Sequence, residues 1–171
     1  LSNGKVLYSG SSANNLDSMI VRLNADGTID NSFNANIFTP IGGGYTVSAK
    51  VLTVQPDEKF FVLIENSSGS QINQTLYRLN ADGSIDSSFQ TISGGTSRFT
   101  ELVKKLLIMP DGKFFISGNI FSLARFNSDG TRDNSFESPI ITIPSGIGIP
   151  PAIINDFEFD SNGKILIAGY F

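Results

Sequence analysis

Chemistry in this chain would have to run on carboxylates, because its 171 residues include neither a His nor a Cys. Their absence removes the imidazole base, the Ser-His-Asp triad, thiolate nucleophiles, most zinc sites and every disulfide. The acids fall into two sets. Asp30, Asp86 and Asp133 recur at matching places, which marks them as structural, whereas Asp17, Glu65, Glu101, Glu137, Asp156 and Glu158 do not recur. Glycoside cleavage needs two carboxyl groups roughly 5–9 Å apart. Nothing in the spacing of the non-recurring acids requires that, so they are expected to be solvated surface acids.

Other candidates are weaker still. The run Asn24-x-Asp26-Gly27-x-x-Asp30 looks like part of an EF-hand calcium loop. That loop needs an acid or amide at its first position and a Glu at its twelfth. Those positions hold Arg22 and Phe33, and the reading fails in all three copies. A looser cation site on Asp26 and Asp30 is the alternative to a self-satisfied hairpin turn. Tyr8, Tyr45, Tyr77 and Tyr170 could stack on sugars, although Tyr8 and Tyr77 sit in strand patterns and are expected to pack. Gly42-Gly43-Gly44 is followed by no Gly-Lys-Ser/Thr and is not a phosphate loop. The sequons Asn66-Ser67-Ser68 and Asn73-Gln74-Thr75 are expected to be accidental. No catalytic, cofactor-binding or metal-ligating residue is assigned, no cofactor is expected, and the binding residues stay unknown.

The elements that position these residues come from a repeat. Arg22-Leu23-Asn24-Ala25-Asp26-Gly27-Thr28-Ile29-Asp30-Asn31-Ser32-Phe33 returns at Arg78–Phe89 and, more loosely, at Arg125–Phe136. A second motif keeps phase with it: Met109-Pro110-Asp111-Gly112-Lys113-Phe114-Phe115 has counterparts ending in Lys5, Lys59 and Lys164 and an apolar run. The lysines at 5, 59, 113 and 164 are 54, 54 and 51 residues apart. Such internal periodicity decides the fold before anything else does.

Each motif reads as a hairpin. Ala25 and Asp26 suit a type I turn, and Gly27 suits the left-handed position that follows. That loop pairs Asn24 with Thr28 and makes Arg22 and Asp30 cross-strand neighbours, a contact worth about 0.2–1 kcal/mol. Glu58 stands in the glycine slot of its turn, so it either strains into positive φ or its turn differs. The runs Val6-Leu7-Tyr8, Phe60 to Ile64, Phe114 to Ile116 and Ile165 to Ile167 read as strands covered on both faces. Strands are also expected over Val47 to Val54, Leu102 to Met109 and Ile153 to Phe159. A fourth, less clearly signalled strand would carry the Ile-Asp pair and the Phe of the first motif. Four strands at about 50-residue spacing match propeller blades, with repeats at about 1–54, 55–109 and 110–160 and a partial one at 161–171. The connections 34–46, 90–99 and 137–151 vary between copies, and variable loops on a rigid scaffold are where binding usually sits.

Composition agrees. Charged residues are 16% of the chain, with 17 Gly and 14 Phe, which suits turn-rich β-structure. A net charge of −4 with scattered Lys and Arg disfavours nucleic acid. No apolar run approaches the roughly 20 residues of a membrane-spanning helix, so no membrane insertion is expected in this segment. The opening at Leu1, without initiator Met or signal pattern, reads as an interior segment with any targeting signal outside it.

The two motifs together resemble the bacterial delta-60 repeat, a β-propeller repeat of unknown function, along essentially the whole chain. The resemblance implies an all-β fold, about three four-stranded blades of a ring of six or seven, in a large secreted or surface-attached bacterial protein or a phage-associated one. It carries no catalytic residues. Departures are local: Glu58 for Gly, Arg132 where the other copies have Ile29 and Ile85, and a degenerate stretch around Ile120-Phe121-Ser122. The expectation is therefore a non-catalytic adhesion or display module, extracellular or cell-surface. Its partners would be the remaining blades of the same polypeptide or further copies of the chain, with a glycan or protein as ligand. The alternatives are a carbohydrate-active propeller enzyme with acids partly in other blades, and a structural component of a phage or surface appendage.

Overall fold

The turns form as their residues dictate. In a computed structural model describing residues 1, 3–12, 20–35, 46–68, 71–94, 103–118, 122–139 and 153–170, the Asn24 amide donates to the Thr28 carbonyl at 2.8 Å and the Gly27 amide to the Asn24 carbonyl at 2.9 Å. The same two bonds recur at Asn80–Ser84 and Asn127–Thr131. Gly27, Gly83 and Gly130 take φ of 84°, 92° and 88°, the left-handed region where a side chain is strained. The lysine turns repeat the device, with the Gln55, Met109 and Asp160 amides bonded to the carbonyls of Lys59, Lys113 and Lys164 at 2.7, 2.8 and 2.9 Å. Glu58 keeps the turn intact and accepts a φ of 63°.

The chain divides into two compact units, Leu1–Arg98 and Phe99–Phe171. In the first, β1 (Val6–Ser9) pairs with β3 (Ile20–Leu23). A five-stranded sheet runs in the order β2 (Ser11–Ser12), β4 (Thr46–Val54), β5 (Phe60–Ser68), β6 (Gln71–Leu79), β7 (Ile92–Gly94). In the second, β8 (Lys105–Ile108), β9 (Phe114–Gly118) and β10 (Ser122–Phe126) form a three-stranded sheet, and β11 (Ile153–Phe159) pairs with β12 (Ile165–Tyr170). Every pairing is antiparallel, and no helix occurs among the described residues.

Register is the same in each copy. Val6 faces Leu23, Phe60 faces Leu79 and Phe114 faces Phe126, so the residue after each lysine always opposes the residue after each arginine. The expected fourth strand is corrected. Ile29, Ile85 and Arg132 make only single bridges, to Leu23, Leu79 and Phe126. The chain then turns away, because the carboxylate of Asp86 accepts the Ser88 amide and hydroxyl at 3.0 and 2.6 Å and the Phe89 amide closes on the Asp86 carbonyl at 3.1 Å. In that copy the outer strand forms later, where Ile92 of β7 faces Leu76.

Burial follows position in the sheet. β5 lies between β4 and β6, and β9 between β8 and β10; Phe60 to Ile64 and Phe114 to Ile116 are buried accordingly. Alternate residues Phe60, Val62 and Ile64 join one core with Ile20, Val47 and Leu79, while Phe61 meets Phe89 edge-on with centroids 5.5 Å apart. In the second unit Phe115, Leu123, Ile154 and Phe157 form the core. The expectation of double cover fails for β1 and β12, each with one paired strand among the described residues: Val6 is 55%, Tyr8 66% and Leu166 60% exposed. Tyr8 is thus no packing residue, while Tyr77 does pack against the first core. Ile29 and Ile85 are also exposed, which is why Arg132 can occupy the equivalent place.

The strain at Glu58 predicts that Glu58→Gly stabilises the chain by about 1 kcal/mol, read as a higher urea midpoint with unchanged slope.

Candidate functional site

The strongest concentration of polar groups is built three times. Asp30 lies on the strand continuation opposite Arg22, whose Nε donates to its Oδ2 at 2.7 Å. Lys5, from the other motif, places Nζ 2.7 Å from the same oxygen, and Ser32 donates its amide and hydroxyl to Oδ1 at 3.0 and 2.6 Å. Asp86 repeats the set with Arg78 at 2.7 Å and Lys59 at 2.9 Å. Asp133 repeats it with Arg125 at 2.8 Å, Lys113 at 2.7 Å and Ser135. Each arginine also lies over the motif's final ring, at 4.9 Å for Phe33 and Phe89 and 5.3 Å for Phe136.

This is more than the cross-strand pair expected from the sequence. The three aspartates are 5–7% exposed. A buried carboxylate survives as an ion only with counter-charges and hydrogen bonds that replace water. Hydrogen bonds from Lys5 and then Ser32 hold the Asp30 carboxyl far below the ordinary carboxylate range. Those from Lys113 and Ser135 do the same for Asp133. Burial pushes the Asp86 carboxyl up, but Ser88 and Lys59 outweigh it and leave that group equally depressed. Carboxylates so held stay ionised near neutral pH.

The weak cation site does not assemble. Asp26 accepts the Thr28 amide and hydroxyl at 3.0 and 2.6 Å, which lowers its pKa, while the oxygens of Asp30 already face two cations and a serine. No cluster of three metal-ligating side chains occurs among the described residues. A recess of about 220 Å³ beside the first cluster is lined by Ile20, Arg22, Ile29, Asp30 and Phe33 among others.

Of the non-recurring acids, Asp17 and Glu101 lie outside the described residues, as do Tyr45 and Gly42–Gly44. Glu65 accepts from Gln74 Nε2 at 2.9 Å, and Glu137 is exposed. Asp156 and Glu158 come together on Lys105, whose Nζ lies 2.5 and 2.7 Å from them. Lys105 holds Asp156 below its usual pKa, and both acids are more than half exposed. Asn66 and Asn73 of the two sequons oppose each other on β5 and β6.

Because the clustered aspartates have folded pKa values below their unfolded ones, their contribution is complete above about pH 4 and is lost as pH falls further. Unfolding free energy should therefore be flat from about pH 7 to 5 and drop below about pH 4. Asp86→Asn should lower stability at pH 7 by about 3 kcal/mol, since Lys59 and Arg78 then lose the Asp86 carboxylate between them, and should shallow the acid slope. Urea melts across pH read both. Gly83→Ala should cost clearly more than Gly27→Ala: a Cβ at Gly83 would meet the Asn34 backbone at 2.8 Å, whereas one at Gly27 has nothing within 4 Å among the described residues.

Three segments of the chain, 1–33, 66–89 and 110–136, match a family described as "Domain of unknown function (DUF5122) beta-propeller". No curated protein and no solved structure matches the chain. The three matched segments each contain one arginine–aspartate motif, and the sheets are all antiparallel. The chain is thus an all-β protein, three segments of which are similar to the β-propeller repeats of a family of unknown function.

Proposed function

We propose that the chain is a non-catalytic propeller module, part of a ring of six or seven blades in a large secreted or cell-surface bacterial protein. It serves as a rigid platform for adhesion or display and takes a protein or glycan ligand on its variable connections. The resemblance to the delta-60 repeat supports the bacterial surface setting. The carrying observation is that the recurring carboxylates are consumed internally: Asp30, Asp86 and Asp133 each form ion pairs with a lysine and an arginine of their own repeat. What recurs therefore stiffens the scaffold, and what differs between copies, 34–46, 90–99 and 137–151, is left to specify a partner.

A carbohydrate-active reading has one observation in its favour, the joining of Asp156 and Glu158 on Lys105. The two readings separate in one assay. The chain is incubated with a panel of polysaccharides while bound sugar and released reducing ends are followed together. Retention of ligand without new reducing ends is expected. Turnover that disappears in Asp156→Asn or Glu158→Gln would overturn the proposal.

A further inference from the structure

β4 and β11 each carry, at matching places, an amide that bonds outside their own hairpin. In β4 it belongs to Val51, opposite Val62, and donates to the Ser9 hydroxyl at 3.2 Å. In β11 it belongs to Phe157, opposite Ile167. Val62 and Ile167 each stand three residues past their lysine, so the two amides are equivalent. Their acceptors differ. The Phe157 amide donates to Oδ1 of Asp156 at 2.8 Å, and that same oxygen accepts Lys105 Nζ at 2.5 Å.

The serine is nevertheless present. Ser117 stands four residues past Lys113, as Ser9 stands four past Lys5. It is 0% exposed, and its hydroxyl has no partner among the described residues. Native structures rarely leave a buried hydroxyl unbonded, so this one calls for a reason. Its neighbours place it beside β11. Leu123, its cross-strand partner, and Phe115, on the same face of β9, share one core with Ile154 and Phe157. The rings of Phe115 and Phe157 lie 6.2 Å apart. Serine at this place also goes with strand shape. β4 follows Ser9 and β11 follows Ser117, and each contains a register shift, at Val51/Thr53 and Ile154/Asp156. β8 follows Leu63, the residue at the equivalent place, and pairs with β9 without one.

We propose that Ser117 is a reserve acceptor for the Phe157 amide, which makes the Asp156 cap displaceable. When Asp156 turns away with Lys105, the amide passes to the Ser117 hydroxyl and reproduces the Ser9–Val51 bond. β11 then keeps its bulge, and no buried amide is stranded. The cluster of Lys105, Asp156 and Glu158 is thereby able to open and close while the strand beneath it stays in place. This conformational device holds or fails apart from the module reading, which the sugar assay decides.

Hydrogen exchange of the Phe157 amide in the full 171-residue chain tests it. In Asp156→Ala, where Lys105 retains Glu158, protection should stay within about threefold of the parent because Ser117 takes over. Ser117→Ala alone should change it as little. The two together should lower it at least about tenfold, the non-additivity expected of two acceptors that replace each other. Continued protection of the Ile116 amide in β9 shows that the sheet is intact. Asp156→Ala with Ser117→Cys, a weak acceptor of similar size, takes the place of the double alanine should that fail to fold. Protection lost in Asp156→Ala alone overturns the reserve role. So does protection lost in Ser117→Ala alone, or a double variant as protected as either single one.

Discussion

A buried aspartate held between a lysine and an arginine is the interaction on which each repeat depends. Its carboxylate is removed from water and would be costly alone. Two cations and a serine from three places in the repeat converge on it instead. The lysine arrives from the turn that opens one strand, the arginine from the neighbouring strand, and the serine from the turn just beyond the aspartate. The final Phe closes under the guanidinium. A single charged group thereby ties together both sequence motifs, which explains why they keep a fixed order.

The same constraint explains what is free to vary. Arginine and aspartate are always 8 residues apart, while lysine and aspartate are 25, 27 and 20 apart. Antiparallel pairing absorbs the difference. Lysine and arginine strands are in register at the end nearest the cluster, so residues added or lost at the far end of the hairpin leave it untouched. β5 and β6 have 9 residues each, β9 and β10 only 5, and the cluster is unchanged. Length variation is exported to the distal hairpin ends and connections, away from the charges.

Much of this was legible in the residues. Asp-Gly turns determine loop length, loop length determines register, and register puts Arg22 opposite Asp30. The part played by Lys5 was not legible, because it depends on β1 lying beside β3, a contact across 25 residues that no local pattern encodes. The fourth strand was misplaced for a related reason. Ile85-Asp86 has strand-like residues, but the side chain of Asp86 competes with the sheet by capping the Ser88 amide. The exposure of Val6, Tyr8 and Leu166 was hidden as well, since an apolar run looks the same whether its strand lies inside a sheet or at its margin. For the candidate site, recurrence marked the acids that the structure places between a lysine and an arginine. Only geometry brought Asp156 and Glu158 onto Lys105, whose residues stand 51 and 53 positions away.

The most direct test of the central claim is a carboxyl-carbon NMR titration of the three cluster aspartates in the folded chain. Asp30, Asp86 and Asp133 should stay ionised throughout the range in which ordinary aspartates protonate, near pH 4, with their shifts changing only as the chain unfolds in acid. Midpoints near pH 4 in a chain that remains folded would contradict the account, because the carboxylates would then be neither buried nor held by their lysines and arginines.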